Sequence, residues 1–223
     1  MQFLFSEKAG DTSLKLRGEE HKYLFKVRRH NVDDILYFRN KLESAVLYRY
    51  KVLNLDGRSA TLALISSEEK EIKSAKELHI AWCVIDPKSV EKVLPSLNEI
   101  GVSKISFIFC DRSQKNFKID LQRYERILET SSQQCGRSKQ IIFETFKGLD
   151  SFLKENPQTV VLDFCDEVLG CDDDVQTVLI GCEGGFSDEE REKLETLKRF
   201  RLDTPMILRS ESAAMAIASK VLI

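Results

Sequence analysis

From Leu78 onward the sequence alternates short apolar runs with amphipathic stretches, and that alternation restricts the fold more than any other feature. Residues 78–85 form a continuous apolar run, as expected of a strand buried on both faces. Residues 89–100 follow, with Val90, Val93, Leu94 and Leu97 at helical spacing and Gly101 as the stop. Pro95 inside that pattern is expected to kink the helix or remove a hydrogen bond. Residues 104–110 read as the next strand, Leu121–Cys135 as a helix closed by Gly136, and 159–165 and 176–181 as further strands. Residues 187–200 read as a charged helix opened by a capping box of Ser187 and Glu190. A last helix from about Ser210 places Ala214, Ile217, Ala218, Val221 and Leu222 on one stripe. Strands alternating with helices predict an α/β fold with a largely parallel sheet flanked by helices.

The first third has a different pattern. Residues 2–5, 35–39, 45–53 and 59–65 are short strand candidates, and one helix is expected across 19–29 with Tyr23, Leu24 and Val27 on one face. Residues 66–76 are polar and charge-rich, which places a boundary between a small β domain, 1–72, and the α/β domain, 73–223. Residues 1–74 carry 14 Lys/Arg against 11 Asp/Glu, the remainder 20 against 25, so the small domain is the cationic part of a chain of net charge −2. Lys15, Arg17, Lys22, Lys26, Arg28 and Arg29 cluster against Glu19 and Glu20, either as a solvated face or as a surface for phosphates.

A content of 42% hydrophobic and 31% charged residues is that of a soluble globular protein. No apolar run approaches the roughly 20 residues of a membrane span. The start, MQFLFSEKAGD, lacks the basic and apolar segments of a secretory signal, so a cytoplasmic location is expected. The six cysteines (Cys83, Cys110, Cys135, Cys165, Cys171 and Cys182) form no C-x-x-C pair and no ligand pattern with the histidines. No metal site is expected, and the cysteines read as buried reduced thiols.

The segment VLIGCEGGFS, 178–187, reads as a strand running into a glycine loop and a helix start. Open α/β sheets bind small molecules at such places. Glycine lets the backbone bend or lie flat against a ligand, and Glu183 puts one carboxylate in the loop. G-x-x-G-G is neither a P-loop nor a Rossmann fingerprint, and alone it is equally a plain turn. A second segment, LDTPMILRSESAA, 202–214, couples a loop to a helix rich in small residues, with Ser210 or Ser212 at its start beside Arg209 and Glu211.

Together, IGCEGGFS (180–187) and ILRSESA (207–213) resemble the paired signature, IGPEGGFS and LRTETA, of the small-subunit (16S) ribosomal RNA uridine-N3 methyltransferase E family, a branch of the trefoil-knotted SPOUT methyltransferases. EIGV (99–102), DRS (111–113) and QCGR (134–137) are similar to its ELGV, ERS and QCGR elements, in the same order, and VRR (27–29) to its VLR. The resemblance implies a C-terminal SPOUT trefoil-knot methyltransferase domain, preceded by a PUA-like β-barrel that binds RNA. It implies S-adenosyl-L-methionine as cofactor, 16S rRNA in the small ribosomal subunit as substrate, and a homodimer. It places the cofactor among Leu162, Asp163, Ile180, Gly181, Glu183, Gly184, Gly185, Leu202, Ile207 and Leu208. Arg209, Glu183 and Glu211 become the catalytic candidates, and Lys22, Lys26, Arg28, Arg29, Arg112 and Arg137 the RNA-binding ones. Cys182 replaces the family's proline, residues 203–206 replace a glycine and a basic residue, Ser210 and Ser212 replace threonines, and Ser96 replaces a lysine. A knotted methyltransferase acting on transfer RNA, or a non-catalytic RNA-binding module of the same fold, remains open at this level.

Overall fold

In the computed structural model, which describes residues 2–114, 116–170 and 173–223, the apolar run after Leu78 is a strand, β6 (His79–Cys83), buried at every position. The chain divides into two units, Met1–Lys73 with Ser132–Lys139, and Ser74–Ser131 with Gln140–Ile223. In the second unit, β6 is an inner strand of a six-stranded sheet with β7 (Lys104–Ile108), β8 (Ile142–Phe146), β9 (Val160–Leu162), β10 (Thr177–Ile180) and β11 (Arg199–Phe200). The order is β11-β9-β10-β6-β7-β8 and every pairing is parallel. The chain fills one side of β6, crosses over, and then inserts β10 between β9 and β6.

Helices join the strands. In α2 (Pro87–Ile100), Asp86 caps the start by accepting from Lys88 N, and Gly101, at φ 114°, closes the end. Its buried face is Val90, Val93, Leu94 and Leu97, and the helix continues through Pro95 to Ile100. α3 spans Leu121–Cys135 and α4 Leu149–Glu155. α5 covers only Asp188–Leu194, so the helix expected to reach Phe200 stops early. Residues 199–200 pair with β9 instead, and Phe200 gains full burial there, which the charged helix could not offer. α6 (Ser210–Leu222) packs on α2 and β10 and buries Ala213, Ala214, Ile217, Ala218 and Val221. The sequence pattern missed β8, an edge strand whose Ile142 is exposed, and α4, too short to display a period.

The first unit is a five-stranded sheet of order β1-β3-β4-β5-β2. It comprises β1 (Leu4–Phe5), β2 (Ser13–Arg17), β3 (Ile35–Asn40), β4 (Glu43–Leu55) and β5 (Ser59–Glu69). β1 pairs with β3 in parallel and the other pairings are antiparallel. β2, not expected from the sequence, alternates exposed Ser13, Lys15 and Arg17 with buried Leu14 and Leu16. β5 runs four residues beyond 65 into the stretch that reads as a linker, because pairing with β4 holds it in the sheet. The expected helix of 19–29 is α1 (Gly18–His21) continued by a wide π turn over Lys22–Val27. The wide turn, with Arg28 N bonded to Tyr23 O, rotates Val27 away from Leu24 and leaves it exposed.

The sulfurs of Cys83 and Cys110, expected as separate thiols, lie side by side. Parallel pairing sets Cys83 against Ile108, so the ends of β6 and β7 bring together residues far apart in sequence. Cys135 is exposed, Cys165 half-buried and Cys182 buried, while Cys171 lies outside the described residues. No helix among the described residues is long and apolar enough to cross a membrane.

Candidate functional site

Parallel register builds the site. Ile180 and Phe200 both lie opposite Leu162, so β9, β10 and β11 end abreast. The segments leaving them, 163–164, 181–186 and 201–209, therefore emerge side by side at the carboxyl edge, where the strand order reverses. They enclose a cavity of about 380 Å³. Its inner wall is apolar: Leu162, Ile180, Phe186, Leu202 and Ala213. Its charged groups are Asp163, Glu183, Arg191, Arg201 and Arg209.

The glycine loop is held from several sides. Gly185 sits at φ 67°, a left-handed conformation that favours glycine, and its N–H donates to Cys182 O at 2.9 Å. The Cys182 thiol donates back to Gly185 O, so the residue standing where the resemblance has proline still fastens the turn. Burial pushes that thiol's pKa up. Arg112 Nη1 donates to Gly184 O at 2.9 Å, and a Cβ on Gly184 would lie 3.3 Å from Arg112 Cβ. The Asp111 N–H donates to Glu190 Oε1, and Ser187 Oγ donates to Asp111 Oδ2 at 2.6 Å. Glu190 also completes the expected capping box with Ser187.

Ser210 links the two loops. Its hydroxyl donates to Gly181 O at 2.6 Å and accepts from the Trp82 indole N–H at 2.8 Å. It is not a helix cap: Arg209 holds the cap position of α6, with no side-chain cap bond, and Ser210 spends its oxygen inside the site. Asp163 is half-buried and its carboxylate lies 2.7 Å from Arg191 Nη1, which ties the end of β9 to α5.

The sequence candidates fall in three places. Leu162, Asp163, Ile180, Gly181, Glu183, Gly185, Leu202, Ile207, Leu208 and Arg209 line the cavity. Gly184 and Glu211 do not; Gly184 backs onto Arg112, and Glu211 lies half-buried in the first turn of α6. Ile207 stands on the outer lip at 81% exposure rather than in the inner wall. Arg112 braces the glycine loop, and Arg137 is buried, its Nε donating to Lys139 O, with burial pulling its pKa down to about 10. Arg137 belongs to the first unit, where Lys22, Lys26, Arg28 and Arg29 are exposed; Lys22 pairs with Glu19 at 3.7 Å and Arg28 folds over the Tyr23 ring. Sequence reasoning passed over Phe164, Phe186, Arg191, Arg201 and the Ser210 bridge. The available signal was that Phe164 follows Leu162 and Asp163 at a strand end. No group of three or more His, Cys, Asp or Glu among the described residues is arranged to hold a metal ion.

An RNA methyltransferase domain family matches residues 72–222. The ribosomal RNA small subunit methyltransferase E proteins of two Helicobacter pylori strains are 39% and 38% identical to this chain, each match covering 98% of both sequences. Among solved structures, a Neisseria gonorrhoeae ribosomal RNA small subunit methyltransferase E bound to S-adenosyl methionine superposes with a TM-score of 0.80. It is 15% identical, over 98% of this chain and 95% of that one. A Legionella pneumophila protein described as a putative methyltransferase, with bound cofactor SAM, gives 0.74 at 23% identity over 93% and 90%. At such identities these structures speak for the fold.

Proposed function

This chain belongs to the RNA methyltransferase family that includes ribosomal RNA small subunit methyltransferase E, and from that premise we propose that it methylates N3 of a uridine in 16S rRNA of the small ribosomal subunit, using S-adenosyl-L-methionine. The observation that carries the reading is the cavity walled by the loops after β9, β10 and β11, in a chain similar almost from end to end to methyltransferase E proteins.

The residues present fit the cofactor. The cavity has the size of a small-molecule site, an apolar inner wall for a flat base, and a glycine loop whose backbone can lie close to a ligand. When bound, S-adenosyl-L-methionine supplies an electrophilic methyl group on a sulfonium sulfur. Leu162, Ile180, Leu202 and Leu208 would frame the adenine, and Asp163 would offer its carboxylate to the cofactor's polar groups.

Uracil N3 carries a weakly acidic proton that must leave as the N3–carbon bond forms. The methyl group would come from the cofactor, whose sulfur would keep the bonding electron pair and leave as a neutral thioether. Glu183 is the carboxylate assigned to the proton, and Arg209 the cation that stabilises charge building on the uracil carbonyls. Glu211 positions the start of α6 beside them. The uridine enters from a single-stranded or flipped conformation, since a paired N3 is inaccessible.

The first unit is the RNA-holding part of this reading, a PUA-like barrel in front of a SPOUT knot. Lys22, Lys26, Arg28 and Arg29 meet phosphates there, joined by the exposed Lys15 and Arg17 of β2. A homodimer working in the cytoplasm belongs to the same proposal. Calorimetry with S-adenosyl-L-methionine, and methyl transfer to small subunits from cells lacking the gene, test it together. Cofactor binding and a transfer that weakens steeply with salt are expected. A chain that binds no cofactor is a non-catalytic module instead.

A further inference from the structure

The cavity wall changes character at its mouth. Ile180, Phe186 and Ala213 are buried at the bottom, whereas Phe164, Met206 and Ile207 line the rim at 76%, 65% and 81% exposure. Single exposed apolar side chains need no explanation, but these three converge on one opening.

Phe164 is the aromatic member, and its backbone is anchored on the residue before it. The Asp163 N–H donates to Phe200 O at 3.0 Å, and its carboxylate is clamped by Arg191. The ring is thus carried one residue beyond a point tied to both β11 and α5. Arg201 and Arg209 line the same cavity and bring positive charge to it. An aromatic face, an apolar rim and guanidinium groups are the combination that receives one unstacked base with its neighbouring phosphates.

We propose that Phe164, with Met206 and Ile207, is the platform at the mouth of the cavity on which the target uracil stacks. The inference rests on the methyltransferase reading above and adds the residue that seats its substrate.

The test uses Phe164→Ala and Phe164→Trp. It measures methyl transfer from labelled S-adenosyl-L-methionine to small subunits purified from cells lacking the gene, together with cofactor affinity and oligomeric state. Base–aromatic stacking is worth about 1–3 kcal/mol, so Phe164→Ala is expected to raise the KM for subunits by about 5- to 150-fold. Cofactor affinity is expected to stay within about twofold, and oligomeric state to be unchanged, because a side chain this exposed contributes little to folding. Phe164→Trp, which keeps a stacking face, is expected to restore the KM. An unchanged KM in Phe164→Ala overturns the platform. So does a parallel loss of cofactor affinity, which makes the ring part of the cofactor wall, or a change in oligomeric state, which makes the rim a contact with a second copy. A wild-type protein inactive on these subunits overturns the parent reading, and the platform with it. An active wild type with an unaffected Phe164→Ala overturns the platform alone.

Discussion

Ser210→Ala removes one oxygen that serves two buried partners. The Trp82 ring is fully buried, so its indole N–H, now 2.8 Å from Ser210 Oγ, has no water to turn to. Leaving such a donor unsatisfied costs about 1–3 kcal/mol, and losing the bond to Gly181 O adds about 1 kcal/mol. Alanine's better helix propensity returns a few tenths of a kcal/mol at the start of α6. The net loss is expected to be about 2–3 kcal/mol, with the glycine loop loosened and cofactor affinity reduced. Urea unfolding followed by the fluorescence of Trp82, the single tryptophan of the chain, measures the first effect. Circular dichroism completes a cycle with Trp82→Phe, in which the double variant is expected to be less destabilised than the sum of the singles by at least about 1 kcal/mol. A Ser210→Ala variant within about 0.5 kcal/mol of wild type, or strictly additive singles, refutes the bridge.

Gly185→Ala forces an L side chain to φ 67°, so a loss of about 1–2 kcal/mol and a several-fold weaker cofactor affinity by calorimetry are expected. His79, buried and bonded to Ser106 Oγ, has its pKa lowered from 6.5 to about 4 by burial, aided by the charge of Lys104. Between those values the unfolded chain binds more protons than the folded one, so stability is complete above about pH 6.5 and falls towards pH 4. The drop is about 3 kcal/mol at most, and a His79→Gln variant is expected to flatten it.

Much of the α/β unit was legible because its signals are local. The period of Val90, Val93, Leu94 and Leu97, the stop at Gly101 and the Ser187–Glu190 box act within a few residues, and the structure has all of them. What the sequence hid depends on pairing across the sheet. β11 replaces the end of a charged helix because Phe200 fits beside Leu162, and Cys83 and Cys110 meet because β6 and β7 end together. The π turn after α1 was equally hidden, since its residues have ordinary helix propensity and only the hydrogen-bond pattern sets the wider turn. In the site, the glycine loop and the 202–209 loop could be read from their residue types. Their joining by Ser210 could not, because a serine at a helix start is ordinarily its cap.

The cavity is proposed to serve uridine methylation in small-subunit RNA. Nucleoside mass spectrometry on 16S rRNA from cells lacking the gene, with and without a restored copy, tests it most directly. The expected result is a 3-methyluridine that disappears with the gene, returns with the wild-type copy and fails to return with Arg209→Ala. A 3-methyluridine level that stays the same in all these strains contradicts the account.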